Sequence, residues 1–159
     1  MFDQFNGMPM HVLLVHAAVV FVPLLALAAV VYALVPRLRA RVGWVAALLA
    51  LGAPVAALFA KLSGEAFKER LVADGMPASA LGPINTHQEY GDLTFFSALA
   101  LGIVTGVMLY LGDRAAKGRG LPRVADLGVA ALVVVLAGVA GYFVFMTGDT
   151  GATAVWGTS

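Results

Sequence analysis

Four runs of about twenty apolar residues, none with a charge near its middle, constrain this chain more than any other feature. They lie at 12–35, 44–62, 93–111 and 127–146, with Lys61 at the rim of the second. A helix in water keeps its apolar residues to one stripe, whereas here they occupy every face. Overall, 61% of residues are hydrophobic and 12% charged, against roughly 45–50% and 25% in soluble domains. The bilayer is therefore the expected solvent. The expected fold is all-α, an integral membrane four-helix bundle that makes residues 1–159 a single transmembrane domain. Pro23 and Pro54 fall inside the first two runs, where neighbouring helices can satisfy a freed carbonyl, so they predict kinks and not breaks.

The linkers give a direction. Seven of the ten basic residues (Arg37, Arg39, Arg41, Arg114, Lys117, Arg119 and Arg123) flank the first and third linkers, and Lys61, Lys68 and Arg70 sit near the second. Basic linkers stay in the cytoplasm. Both termini and the linker between helices 2 and 3 are thus expected on the outer side, with most of the acidic charge, including Asp3, Glu65, Glu69, Asp74, Glu89, Asp92 and Asp149. The Lys61, Glu65, Glu69 spacing predicts that helix 2 continues past the membrane as a polar helix with four-apart ion pairs. Asp74-Gly75, Pro77 and Gly82-Pro83 predict a loop over 72–85. Thr86-x-x-Glu89 has the form of a capping box, placing a helix start near His87. The tail 147–159, rich in Gly, Thr and Ala, reads as a turn and an extension beyond the last helix. Residues 1–11 hold no Lys or Arg and the first run is long, so a cleavable signal peptide is not expected.

Candidate chemistry gathers at the outer end. His16 lies about four residues inside its run, and an ionisable residue at that depth is a functional candidate. His11 is five residues earlier, about 140° round the helix, so the two imidazoles face different ways. Three arrangements are consistent with these residue types. His16 and His87 could be opposed ligands to a haem b between helices. Alternatively, His87 with carboxylates such as Glu65, Glu89, Asp92 or Asp149, and with His11 as a further candidate ligand, could hold a divalent metal near the outer surface. In the third arrangement, His87 belongs to a capped helix start and binds nothing. Gly102 and Gly106 form a GxxxG, and Gly138 with Gly141 a second small strip. Such strips allow close helix approach within the bundle or in a homodimer.

Several classes of function are excluded. There are no cysteines, hence no disulfide, thiolate metal site or covalently attached haem. A net charge of +1 offers no field for nucleic acid. No Asp, Glu, Lys or Arg lies near the middle of any run, against a proton-coupled transporter or voltage sensor. Gly-x-Ser-x-Gly, Ser-x-x-Lys and His-Glu-x-x-His are all missing. The reading is a small membrane protein associated with redox chemistry, holding a haem b or metal ion through histidines at the outer end of the bundle. The alternative is a cofactor-free accessory or structural subunit of a larger membrane complex, and for neither is an enzymatic activity expected.

Several strings carry a resemblance: Gly7-Met8-Pro9-Met10-His11 with Leu13-Leu14-Val15-His16, Ser63-Gly64-Glu65, His87 ahead of Tyr90-Gly91-Asp92, and Gly148-Asp149-Thr150-Gly151-Ala152 with Ala154-Val155-Trp156-Gly157. Together and in this order they resemble a bacterial four-span family known as domain of unknown function 2231. That resemblance implies a multi-pass protein of the bacterial cytoplasmic membrane. Since some members are joined to a Rieske-type domain, it also implies association with a membrane redox complex. The family pattern often reads His-Pro-x-x-Val-His-Phe-Pro, where this chain has Val12 for the first proline and Ala17-Ala18 for the Phe-Pro. Where the family tail commonly has Gly-His-x-Gly this chain has Gly148-Asp149-Thr150-Gly151; if that His is a ligand in relatives, Asp149 weakens a haem site and favours a metal site or none.

Overall fold

The computed structural model describes residues 4–5, 8–120 and 122–157. Asp3, Gly7 and the last two residues of the tail lie outside them. Strands β1 (Gln4–Phe5) and β2 (Met8–Pro9) pair antiparallel as a short hairpin. Helix α1 (Met10–Leu34) follows, then a 3-10 turn at Pro36–Leu38, α2 (Arg39–Ala73), a second 3-10 turn at Ala78–Ala80, α3 (Leu81–Ala116) and α4 (Arg123–Trp156). All four helices are long and apolar enough to cross a membrane. Each packs on its neighbours in chain order and α4 closes on α1, with only slight contact across the α1–α3 diagonal. This is the up-down-up-down bundle that short connections produce.

Small side chains face inward and large apolar ones outward. Ala18, Ala29, Ala53, Ala57, Ala98, Ala137 and Ala140 line the core beside Val22, Leu25, Leu101 and Val133. Leu51 is 72% exposed and Phe145 69%. In lipid no hydrophobic gain drives helices together, so close contact between small residues holds the bundle while large residues meet acyl chains. Pro23 and Pro54 leave α1 and α2 unbroken, as expected.

Of the four glycines expected to pack helices, the structure uses one. A Cβ on Gly102 would stand 2.5 Å from the Ala50 carbonyl oxygen, whereas Gly106, Gly138 and Gly141 meet nothing within 4 Å. Two other glycines take on this role at the far end. A Cβ on Gly112 would collide with the Tyr32 hydroxyl, and one on Gly43 would sit 3.3 Å from the same ring. Arg39 lies over Tyr32 at 5.4 Å and donates to the carbonyls of Tyr32 and Ala33 at 3.0 and 3.2 Å. It thereby satisfies acceptors that the last turn of α1 leaves open.

The helices run past the apolar runs, and three expectations change. At 1.5 Å per residue, α2, α3 and α4 are each about 51–54 Å long, against about 30 Å of hydrocarbon. First, the loop expected over 72–85 shrinks to the few residues around Gly75, whose φ of +88° ends α2. Second, Thr86 is no cap. Helix α3 already begins at Leu81, because Pro83 falls in the first turn where its missing N–H costs nothing, and the Thr86 hydroxyl donates back to the Gly82 carbonyl at 3.3 Å. Third, the tail is helical through Trp156. Thr147, Thr150 and Thr153 donate to the carbonyls of Phe143, Met146 and Asp149 at 2.8, 2.7 and 3.0 Å, so the polar hydroxyls are satisfied without leaving the helix.

Thr105 is fully buried, and its hydroxyl alone among the described buried side chains has no hydrogen-bond partner. Leaving such a group unsatisfied costs about 1–3 kcal/mol. The isosteric Thr105→Val variant is therefore expected to gain about 1 kcal/mol, read as a higher unfolding temperature in detergent.

Candidate functional site

The imidazole that meets His87 is His11, not His16. Counting back by helical spacing from the buried positions Val22 and Ala18 of α1 reaches His11. The same count from Leu101 and Thr94 of α3 reaches His87. Their ring centroids lie 6.2 Å apart at 77°. His16, 140° away, stands on the exposed face and bonds the Val12 carbonyl of its own helix at 2.5 Å.

Each ring of the pair is also tied to the next helix. His11 Nδ1 lies 3.1 Å from the Ala60 carbonyl and 3.1 Å from Ser63 Oγ. The Ser63 hydroxyl itself donates to Ala60 at 2.9 Å, so its oxygen accepts and His11 Nδ1 carries the proton. His87 Nδ1 likewise donates to the Thr147 carbonyl at 3.0 Å, since a carbonyl can only accept. Glycines make room for both rings. A Cβ on Gly64 would stand 3.0 Å from His11 Cε1, and one on Gly151 2.9 Å from His87 Cε1. Phe67 stacks on His11 at 6.2 Å and 17°. His11 thus joins α1 to α2, His87 joins α3 to α4, and the ring contact joins the two pairs.

Both histidines lie outside the apolar runs, 12–35 and 93–111. Burial holds the His11 imidazole below the ordinary histidine value, nearby His87 adds to this, and the Ala60 carbonyl opposes it. Burial likewise lowers His87, with the Thr147 carbonyl opposing. A half-buried imidazole resists charging because its ion loses water.

The carboxylates are elsewhere. Lys61 Nζ bonds Glu65 at 2.6 Å and reaches across to Asp92 of α3 at 2.7 Å, while Lys68 donates to Gln88 at 2.7 Å. The four-apart pair expected in α2 is present, and two α2–α3 bonds accompany it. Glu65, Lys68, Glu69, Val72 and Gln88 line a shallow groove of about 450 Å³ there. Glu89 and Asp149 are exposed. Among the described residues no three or more His, Asp or Glu side chains converge as a metal site. The expected set of His11, Glu65, Glu89 and Asp149 is therefore not brought together. Nor does a haem fit between His16 and His87. The first faces away from the bundle, and the ring of His11 occupies the space beside the second.

Four long apolar helices with small residues inside and large apolar residues outside define a multi-pass helical membrane protein. The chain belongs to the family described as predicted membrane protein (DUF2231), whose model matches residues 7–159. No curated protein and no solved structure matches it.

Proposed function

We propose that the protein is a non-enzymatic, cofactor-free accessory subunit of the bacterial cytoplasmic membrane, presenting its histidine end on the outer side to a larger membrane complex. The observation that carries this reading is where the polar groups point. His11 turns to Ala60 and Ser63 of α2 and His87 to Thr147 of α4, while Glu65 pairs with Lys61 of its own helix, so side chains suited to hold a cofactor are taken up by bonds within the bundle. Basic residues at the opposite end support a cytoplasmic position for it. The redox association that the resemblance implies makes an electron-transfer complex the first partner to test.

A second copy of the chain is the other candidate partner. Gly106 and Gly138 are exposed with open space above them, which would let another helix approach closely.

Purification of the tagged protein from its native membrane tests the reading. The expected product is colourless and in fixed stoichiometry with one defined complex, and His16→Ala leaves that stoichiometry unchanged. A Soret band that disappears in His11→Ala or His87→Ala would overturn it. Size analysis distinguishes a homodimer, which Gly106→Leu would dissociate. Reporter fusions should place both termini outside and position 119 inside.

A further inference from the structure

The two ends of the bundle treat their cations differently. At the histidine end Lys61 meets Glu65 and Asp92, Lys68 meets Gln88, and Arg70 approaches Asp74 at 3.7 Å. At the opposite end Arg39 is folded onto the carbonyls of α1 and Lys117 bonds Asp113 at 2.6 Å. Arg37, Arg41, Arg114, Arg119 and Arg123 are exposed there, and among the described residues none of them pairs with a carboxylate. Asp126 is the one acidic residue left at that end. Among the described residues this positive charge is not neutralised.

Its depth is marked by aromatics. Trp44, 65% exposed, follows Arg41 by one turn of α2, and Tyr110, 61% exposed, precedes Arg114 by one turn of α3. The Arg114 guanidinium lies over the Tyr110 ring at 6.0 Å. Exposed Trp and Tyr at helix ends sit at the headgroup level. The guanidiniums therefore emerge where lipid phosphates are, and the planar fork of arginine matches a phosphate with two hydrogen bonds.

We propose that this end of the bundle binds the headgroups of anionic phospholipids through Arg37, Arg41, Arg114, Arg119 and Arg123. Their distribution favours lipid over a docked protein. Arg37 and Arg41 flank the α1–α2 connection and Arg119 and Arg123 the α3–α4 connection, which lie on opposite edges of the bundle. A ring of lipids meets both edges at once, whereas a single protein partner meets one.

The test uses the full-length protein in nanodiscs of phosphatidylcholine with or without phosphatidylglycerol, and native mass spectrometry to count the lipids retained. Phosphatidylglycerol is expected to be retained about tenfold over phosphatidylcholine at low salt, with the preference shrinking at high salt. Joint substitution of Arg37, Arg41, Arg119 and Arg123 by Gln should abolish the preference, while Lys68→Gln at the other end keeps it. The salt series on the unmodified protein needs no variant, so misfolding of the fourfold variant leaves the proposal testable. Equal retention of the two lipids, a preference indifferent to salt, or its survival in a folded fourfold variant would each overturn it. So would shielding of these arginines only in a complex with an acidic protein.

Discussion

The Gly102→Ala variant is expected to lose about 1–3 kcal/mol, while Gly106→Ala, one turn further along the same helix, changes stability by less than about 0.5 kcal/mol. Both substitutions add one methyl group to a GxxxG glycine. The difference lies in Pro54. A helical residue donates to the carbonyl four positions back, and Pro54 has no N–H, so the carbonyl it frees is that of Ala50. That oxygen is the atom a Cβ at 102 would meet at 2.5 Å, with Pro54 Cγ next at 3.0 Å. The bare Cα of Gly102 lets α3 settle against the open acceptor, where a weak Cα–H contact is available in a medium without water. Backbone cannot swing aside as a flexible side-chain tip can, so the added methyl must push α2 and α3 apart. Around Gly106 nothing lies within 4 Å. The check is reversible unfolding in mixed micelles for both variants and for Pro54→Ala. Since Pro54→Ala restores the missing bond and removes Cγ, the double variant with Gly102→Ala should lose less than the sum of the two singles. Equal losses at 102 and 106 would sink this account of the α2–α3 contact.

How much of this was legible in the sequence depends on the interaction involved. The four helices follow from the length of the apolar runs, and their survival through Pro23 and Pro54 follows from what lipid demands of the backbone. Helix ends were harder to place. Thr86-x-x-Glu89 has the form of a cap, yet the proline-bearing first turn at Pro83 starts α3 earlier. Gly148-Asp149-Thr150-Gly151 has the composition of a turn, yet it is helix because Gly151 gives room to the ring of His87. The first misreading is settled by a proline three residues upstream in the same helix, the second by a ring from another helix. The separation of His11 from His16 was legible from 100° per residue, but not which of the two faces inward. In α1 every face is apolar, so no polar stripe marks the outside. The spacing of small residues holds the missing signal, since Ala18 and Ala29 with Val22 and Leu25 trace the inner face and His11 continues it. The partner of Gly102 was not legible at all, because it depends on the register between α2 and α3.

Acidification from pH 7.5 to pH 5 is expected to lower the unfolding temperature of the detergent-solubilised protein by several degrees through His11 and His87. Burial holds both imidazoles below the ordinary value, reinforced at His11 by His87. Between each lowered native value and the ordinary value near 6.5, the unfolded chain binds more protons than the native one, so stability falls as pH falls through that window and is level above it. The geometry says where the damage falls. Charging both rings sets two cations 6.2 Å apart in a half-buried contact. The contact links the α1–α2 pair, tied at Ala60, to the α3–α4 pair, tied at Thr147. His16 is exposed, so His16→Gln should keep the full acid response. His87→Gln removes one titrating ring and the like charge facing the other, and should shrink the response by more than half. In the joint variant of His11→Gln and His87→Gln the unfolding temperature should be nearly flat over the same range, since the carboxylates titrate mainly below it. Carboxylate titration also accounts for the slope expected to remain below pH 5. An acid response as large in the joint variant as in the native chain would show that the sensitive groups lie elsewhere, and the histidine contact would then be packing alone.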